Sequence, residues 1–476
     1  MPARTVALPE ATPTTLAEAL AELRTRLEVP DEFPAAVTEA AVAAAGHPRL
    51  PDLDRTDLEL LTIDPPGSKD LDQALHLART DDGYLVSYAI ADVAAFVTAG
   101  DPVDQEAQRR GQTLYAPDRR TPLHPPELSE GAASLLPDLD RPALLWTLRL
   151  DAAGELVETR VERALVRSRE QLSYEQAQEE VDGDRPRDTL ALLVEIGTLR
   201  AERERDRGGV SLQIPAQEIE VDAAGRYTLT YRATLPVEDH NAQISLLTGA
   251  AAARLMLDGR IGVLRTLPPA DPGALRRLRR TARALHIDWP DQQSYPEFVR
   301  GLDPAIPAHA AMLNACTELF RGAGYAAFDG TVPEHTQHAA LAIDYAHVTA
   351  PLRRLVDRYA GEVCLALCAG RPVPDWVRTA LPGLPDLMAE AESKAKKYER
   401  AIVDLVEVSL LHDRVGETFT GVVIDAEPDG RRGVVMVADP AVQARVKGTD
   451  LPLGADVDLR LESADWGSGR VEFVHI

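Results

Sequence analysis

Three aspartates fall close together in the run Thr62-Ile63-Asp64-Pro65-Pro66-Gly67-Ser68-Lys69-Asp70-Leu71-Asp72-Gln73. The apolar stretch Leu60–Ile63 reads as strand-like, and Asp64 follows it. The Pro-Pro-Gly that follows is turn chemistry, able to fold Asp70 and Asp72 back towards Asp64. Clustered carboxylates are the oxygen donors a hard ion such as Mg²⁺ takes, and that ion usually keeps waters and a substrate phosphate as its remaining ligands. One or two such ions activate water and stabilise the leaving oxygen in phosphodiester hydrolysis. Several anionic donors are needed because the substrate is itself anionic. Read without that chemistry, the same residues form a solvated acidic turn.

The elements that would hold this turn are legible in outline. Strand-like runs at Tyr84–Ala91, Leu144–Leu150, Leu156–Val166 and Glu218–Val221 crowd the first half of the chain. Helical runs at Asp188–Arg207, Asn241–Leu257, Ala274–Leu285, Leu352–Ala369 and Leu387–Leu411 crowd the second. This pattern predicts an α+β body, one large mixed domain over residues 51–412. Before it, residues 1–50 read as helical. Leu16, Leu20, Leu23 and Leu27 recur at helical spacing behind a Thr14-Thr15 cap, a second helix runs from Ala35 to Ala45, and Asp57–Leu61 offers a short third. These helices fit either a small helix-turn-helix module or a packing collar. After the body, residues 416–476 carry five short β-rich runs, at Thr418–Ile424, Gly433–Val437, Ala444–Val446, Val457–Leu461 and Val471–Val474. That count predicts an all-β OB-type barrel, a fold that often binds single-stranded nucleic acid. Arg431, Arg432, Arg445 and Lys447 are its candidate phosphate contacts.

Composition bounds the function. The 476 residues hold 45% hydrophobic side chains, ample for a packed core, and a net charge of −25 argues against a nonspecific DNA coat or a membrane-surface protein. A local basic groove on an acidic body stays compatible with a nucleic-acid enzyme. Three cysteines exclude a disulfide framework and point to a reducing compartment. The opening MPARTVALPEATPTT lacks the apolar region of a secretory signal, and no stretch approaches a membrane helix. A soluble, cytoplasmic protein is expected. His335, His338 and His347 lack an HExxH pattern, Cys364 and Cys368 read as core residues, and the absence of a Walker motif argues against ATP use.

The segment TIDPPGSKDLDQAL resembles the signature of the ribonuclease II (RNB) family of exoribonucleases, close to TID-x-x-x-x-x-D-x-D-D-A. Further blocks follow in the family's order: YAIADVAAFV, TLYAPDRRTPLHPPELSEGAASLLPDLDR, RSREQLSYEQAQ, RGGVSLQIPAQEIEVD and HAALAIDYAHVTAPLRRLVDR. The resemblance spans about residues 55–410, and the tail is similar to the family's C-terminal RNA-binding OB domain.

The resemblance implies a processive, Mg²⁺-dependent hydrolase, with Mn²⁺ a substitute, that degrades single-stranded RNA from its 3′ end to nucleoside 5′-monophosphates. A monomer that uses no ATP and no membrane is expected. Asp64 and Asp70 match metal ligands, and Asp72 matches the family's most critical carboxylate. The fourth acid falls on Gln73, which can offer an amide oxygen but no charge. Arg353 matches the catalytic arginine, whose guanidinium would grip phosphate oxygens and offset transition-state charge. Arg354 would contact RNA or pair with Asp357. Tyr115 matches a tyrosine that stacks near the terminal nucleotide, and Glu399 one that lies near the RNA 3′ end. Lys394, Lys396, Lys397 and Arg400 make that last helix locally basic, as a phosphate-lined channel requires. Ala350, Leu355 and Gly249 stand where the family has Ser, Tyr and Asn. Relatives often carry two cold-shock-type domains ahead of the body, and the fifty residues here leave no room for them. The strand would then be clamped by the N-terminal helices and the C-terminal barrel. Two other classes of function fit parts of this pattern: an RNA-binding descendant that has lost hydrolysis, with Gln73 as its symptom, and a metal-dependent phosphodiesterase acting on a small substrate.

Overall fold

A computed structural model describes residues 14–210, 216–221 and 227–476, with side chains described from Leu16 on except those at 216, 220 and 221. The proposed Thr14-Thr15 cap therefore lies outside the described side chains. The acidic run folds as its turn chemistry dictates. Strand β1 (Leu60–Asp64) ends on the aspartate, Gly67 takes φ 76°, Ser68 N–H donates to the Pro65 carbonyl, and β2 (Gln73–Thr80) returns antiparallel. The expected short helix at Asp57–Leu61 is instead a turn running into β1, because Leu60 and Leu61 are claimed by the sheet.

β2 passes into β3 (Gly83–Ala91) through a two-residue hairpin. The chain then makes the short pair β4 (Leu114–Tyr115) and β5 (Arg120–Thr121) before two long strands, β6 (Asp140–Asp151) and β7 (Leu156–Ser173). β7 pairs in parallel with β1, which closes a barrel in the order β1-β2-β3-β6-β7. Closure removes the sheet's edges. It also sets Asp64 opposite Ser173, whose hydroxyl caps the helix Tyr174–Asp182. Trp146 and Tyr88 are fully buried within this body, packed with the helices Asp188–Asp206, Pro236–Gly259 and Leu355–Cys368. Three small pairs complete the middle of the chain: β8 (Ala216–Val221) with β9 (Tyr227–Arg232), β10 (Ile261–Thr266) with β11 (Gly324–Asp329), and β12 (Gln337–His338) with β13 (Ile343–Asp344).

The tail forms a second closed five-stranded barrel, as an OB-type fold requires. Its strands are β14 (Thr418–Ala426), β15 (Arg432–Val437), β16 (Val442–Lys447), β17 (Asp456–Asp465) and β18 (Arg470–His475). Helix Thr14–Arg26 buries Leu16, Leu20 and Leu23 in one cluster with the helix Leu384–Leu411 and this barrel. Helix Ala35–Gly46 buries Val37 and Ala41 in a different cluster, against Phe96, Val103 and Leu128. The two helices thus spend their apolar faces on separate cores, as a collar does.

Glu407 of the long helix sits at the seam with the second barrel. It is buried, and its Oε1 accepts from Gln217 Nε2 at 2.9 Å and from the Gln443 N–H at 3.0 Å. Burial pushes its carboxyl up to about 7 against those two donors. The unfolded chain loses this proton near 4.3. The folded protein therefore holds the extra proton between about 4.5 and 7, and stability falls as pH rises through that window. Glu407→Gln is expected to exceed wild type by roughly 3 kcal/mol in urea unfolding near pH 8, with the gain vanishing near pH 4. An equal difference at both pH values would refute this linkage.

Candidate active site

The first barrel brings Asp64 to the end of β1, and two further contacts fix the returning acids. Leu71 N–H donates to Ser134 Oγ at 2.9 Å, and Ser134 Oγ donates to the Lys69 carbonyl at 2.6 Å. Asp72 is buried, its carbonyl accepts from the Ala91 N–H, and its Oδ1 accepts from the Leu352 N–H at 2.7 Å. That last bond ties the acidic turn to the loop Thr349–Arg354 across 280 residues of sequence. Arg353 follows directly, with Nε 3.7 Å from Asp72 Oδ2 and its side chain about one-third exposed.

The electrostatics are those of acids crowded out of water. Burial, then the charge of Asp70, pushes Asp64 up to about 7, with Arg353 opposing. Burial raises Asp70 despite Arg120, and raises Asp72 well above the carboxylate range despite Arg353 and the Leu352 N–H. Asp64 Oδ2 is buried and finds no donor among the described residues. An orphaned carboxylate oxygen beside a second carboxylate is chemistry that a hard divalent cation satisfies. Among the described residues, no group of three such ligands closes round an ion as the side chains stand. Asp64, Asp70 and Asp72 are the oxygen donors that would hold such a cation.

One residue not anticipated from the sequence holds Asp70, and a second, Glu130, holds that residue in turn. Arg120 bridges it to Glu130, with one guanidinium nitrogen on each carboxylate. Arg120 lies opposite Tyr115 in the β4–β5 pair, so both reach the same site. The Tyr115 hydroxyl is pushed up by burial and by the charge of Asp70. Tyr174, next after the Ser173 that faces Asp64, is likewise pushed up, to about 12, by burial and by Asp64.

Gln73 is woven into the walls. Its Nε2 donates to the Thr349 carbonyl at 2.7 Å, and its Oε1 accepts from Tyr88 at 2.5 Å with Ser245 at 3.4 Å. Arg354 makes the acid pair that is one of its two expected roles. It is paired with Asp357, whose Oδ1 also accepts the Ala350 N–H at 2.8 Å. It braces the loop that carries Arg353. Lys397 and Glu399 lie exposed on the helix Leu384–Leu411. Lys397 borders a surface groove with Arg26 and Lys394, whose Nζ donates to the Glu28 carbonyl.

Gly249 stands where the sequence resemblance puts Asn, and packing explains it. A Cβ there would meet Tyr345 Cε2 at 2.1 Å and the Ala346 carbonyl oxygen at 2.6 Å. Tyr345 has taken the room, and the Ala346 N–H donates to the Gly249 carbonyl. Gly249→Asn is expected to cost about 1–3 kcal/mol through overpacking and to lower activity by shifting the 345–354 loop. A thermal melt and a rate measurement check both effects. Unchanged melting would mean that the ring yields freely.

Residues 53–366 match the RNB domain, and residues 417–476 match the RNase II-type exonuclease C-terminal S1 domain. The exosome complex exonuclease RRP44 homolog A of Arabidopsis thaliana is 27% identical over 73% of this chain and 38% of its own length. Ribonuclease R of Escherichia coli is 27% identical over 78% of this chain and 48% of its own. The chain thus spans about half, or less, of these curated relatives. Among solved structures, RNase R of Mycoplasma genitalium in complex with ribose-methylated single-stranded RNA superposes with TM-score 0.86. It is 19% identical, over 97% of this chain and 78% of that one. Yeast Ssd1, a pseudonuclease, superposes with TM-score 0.68 at 17% identity, over 93% of this chain and 53% of that one. With its acidic turn, its arginine loop and its terminal barrel in place, the chain belongs to the RNB family.

Proposed function

We propose that this protein is a 3′→5′ exoribonuclease that hydrolyses single-stranded RNA processively to nucleoside 5′-monophosphates. The observation that carries the reading is the meeting of Asp72 with the Leu352–Arg353 loop, which sets a guanidinium beside Asp72 and within the field of Asp64. Arg353 grips the scissile phosphate and offsets the charge that builds on it. Tyr115 packs on a terminal base, contact worth roughly 1–3 kcal/mol whatever the base. Arg354 and Asp357 keep Arg353 aimed, and Arg120 holds Asp70 in place. A divalent cation, Mg²⁺ by the oxygen chemistry of Asp64, Asp70 and Asp72, supplies water activation and charge stabilisation when bound. Choice of RNA over DNA rests on 2′-hydroxyl contacts.

One observation favours a second reading. Gln73 brings no charge, and both of its polar ends are engaged by the protein. That is compatible with an RNA-binding protein that has lost hydrolysis. A single digestion of 5′-end-labelled, 3′-overhang RNA with Mg²⁺ separates the readings. Stepwise shortening from the 3′ end with release of 5′-mononucleotides supports the exonuclease. Binding without shortening supports the second reading. Equal activity on dinucleotides and long RNA points instead to a small-substrate phosphodiesterase.

A further inference from the structure

On a chain of net charge −25, the helix Pro272–Ala284 reads PGALRRLRRTARA: five arginines and no acid. Its apolar side is spent. Ala274, Leu278 and Ala282 are buried in a cluster with Met312, Cys316 and the barrel residues Val422 and Ile424. Two of the arginines are also committed. Arg277 pairs with Glu318, and Arg279 lies over the Trp289 ring at 4.5 Å. The other three, Arg276, Arg280 and Arg283, are exposed, and among the described residues none has a carboxylate within 4 Å. Spaced by four and three residues, they share one helix face, with about 6 Å and then 4.5 Å of rise between them. Among the described residues, no ion pair offsets this row of like charge.

Two kinds of polyanion attract such a row. An anionic membrane takes a basic amphipathic helix by its free apolar face, and here that face is buried. A nucleic-acid strand needs only the guanidinium fork, which matches phosphate oxygens in pairs. The row also belongs to the helical cluster packed on the S1-type barrel. We propose that Arg276, Arg280 and Arg283 form a sequence-independent track for the sugar-phosphate backbone of the RNA strand upstream of its 3′ end. This rests on the reading that the chain binds RNA.

The test uses the full chain with Asp72→Asn, so that RNA is bound but not consumed. Arg276→Gln, Arg280→Gln and Arg283→Gln are added together; at exposed positions they leave folding nearly unchanged. Affinity for a labelled single-stranded RNA is measured between about 50 and 200 mM salt. Each lost phosphate contact lowers the slope of log K against log salt by about 0.7, so the triple variant is expected to fall by about 2. The corresponding Lys triple is expected to restore the slope. In the active protein the Gln triple is expected to slow digestion of long RNA while leaving short oligonucleotides unaffected. An unchanged slope and affinity overturns the track. So does loss of binding to phosphatidylserine vesicles with RNA binding intact, which would assign the row to a membrane. Failure of the Asp72→Asn protein itself to bind RNA at low salt overturns the functional reading, and the track with it.

Discussion

Replacing Asp72 by asparagine is expected to lower 5′-mononucleotide release from a 3′-overhang RNA by on the order of 10³-fold, with RNA affinity close to wild type. The substitution is nearly isosteric. Its amide oxygen can still accept the Leu352 N–H that Asp72 Oδ1 accepts at 2.7 Å. The other carboxylate oxygen, 3.7 Å from Arg353 Nε, becomes an NH₂ group, so an attraction turns into a repulsion and one anionic donor is lost. Binding should survive because the strand is held mainly by contacts to its backbone elsewhere. Stability supplies a control. Burial raises Asp72 well above the usual carboxylate range, so its charged form costs folding free energy. The neutral variant should melt no lower than wild type in the absence of metal. A variant that melts lower and loses activity in proportion would show that Asp72 is merely structural.

Arg353→Lys is expected to cost at least about 10³-fold in kcat with KM changed only a few-fold. Lysine keeps the charge but loses the planar fork that holds two phosphate oxygens at once. The side chain is about one-third exposed while its backbone is pinned, with the Thr113 N–H donating to the Arg353 carbonyl at 2.9 Å. The lesion should therefore be chemical, with the loop unmoved. Single-turnover digestion of a saturating RNA separates the alternatives. Loss confined to KM would assign Arg353 to binding alone.

The acidic centre was legible because its three aspartates share one turn, and the turn is written in Pro-Pro-Gly. The terminal barrel was legible because short strands and turns alternate along the tail. The first barrel was not. Its closure depends on β1 pairing in parallel with β7, from Leu60 opposite Ser168 to Asp64 opposite Ser173, and nothing local announces a register across a hundred residues. Arg119 and Arg120 show the same limit. In sequence they are interchangeable. In the hairpin, Arg120 opposes Tyr115 and turns inward to Asp70, while Arg119 turns outward to Asp31. Strand alternation decides which arginine serves the site. Gln73 looked like a ligand position with its charge removed. Its network with Tyr88, Ser245 and Thr349 is visible only once three distant segments meet. The arginine helix read as an ordinary helix because spacing alone does not say which guanidinium groups find partners.

The hydrogen bond from Leu352 to Asp72 has a bearing on how the protein is made. Its two ends are 280 residues apart, and at about 5–20 residues per second the ribosome needs roughly 15–60 s to add that much chain. Throughout that interval the growing polypeptide carries its aspartates without the guanidinium that lies beside Asp72 in the fold. On the proposed function, the acidic turn and the arginine loop come together only after both have been synthesised, so the site is assembled late rather than as its first half emerges.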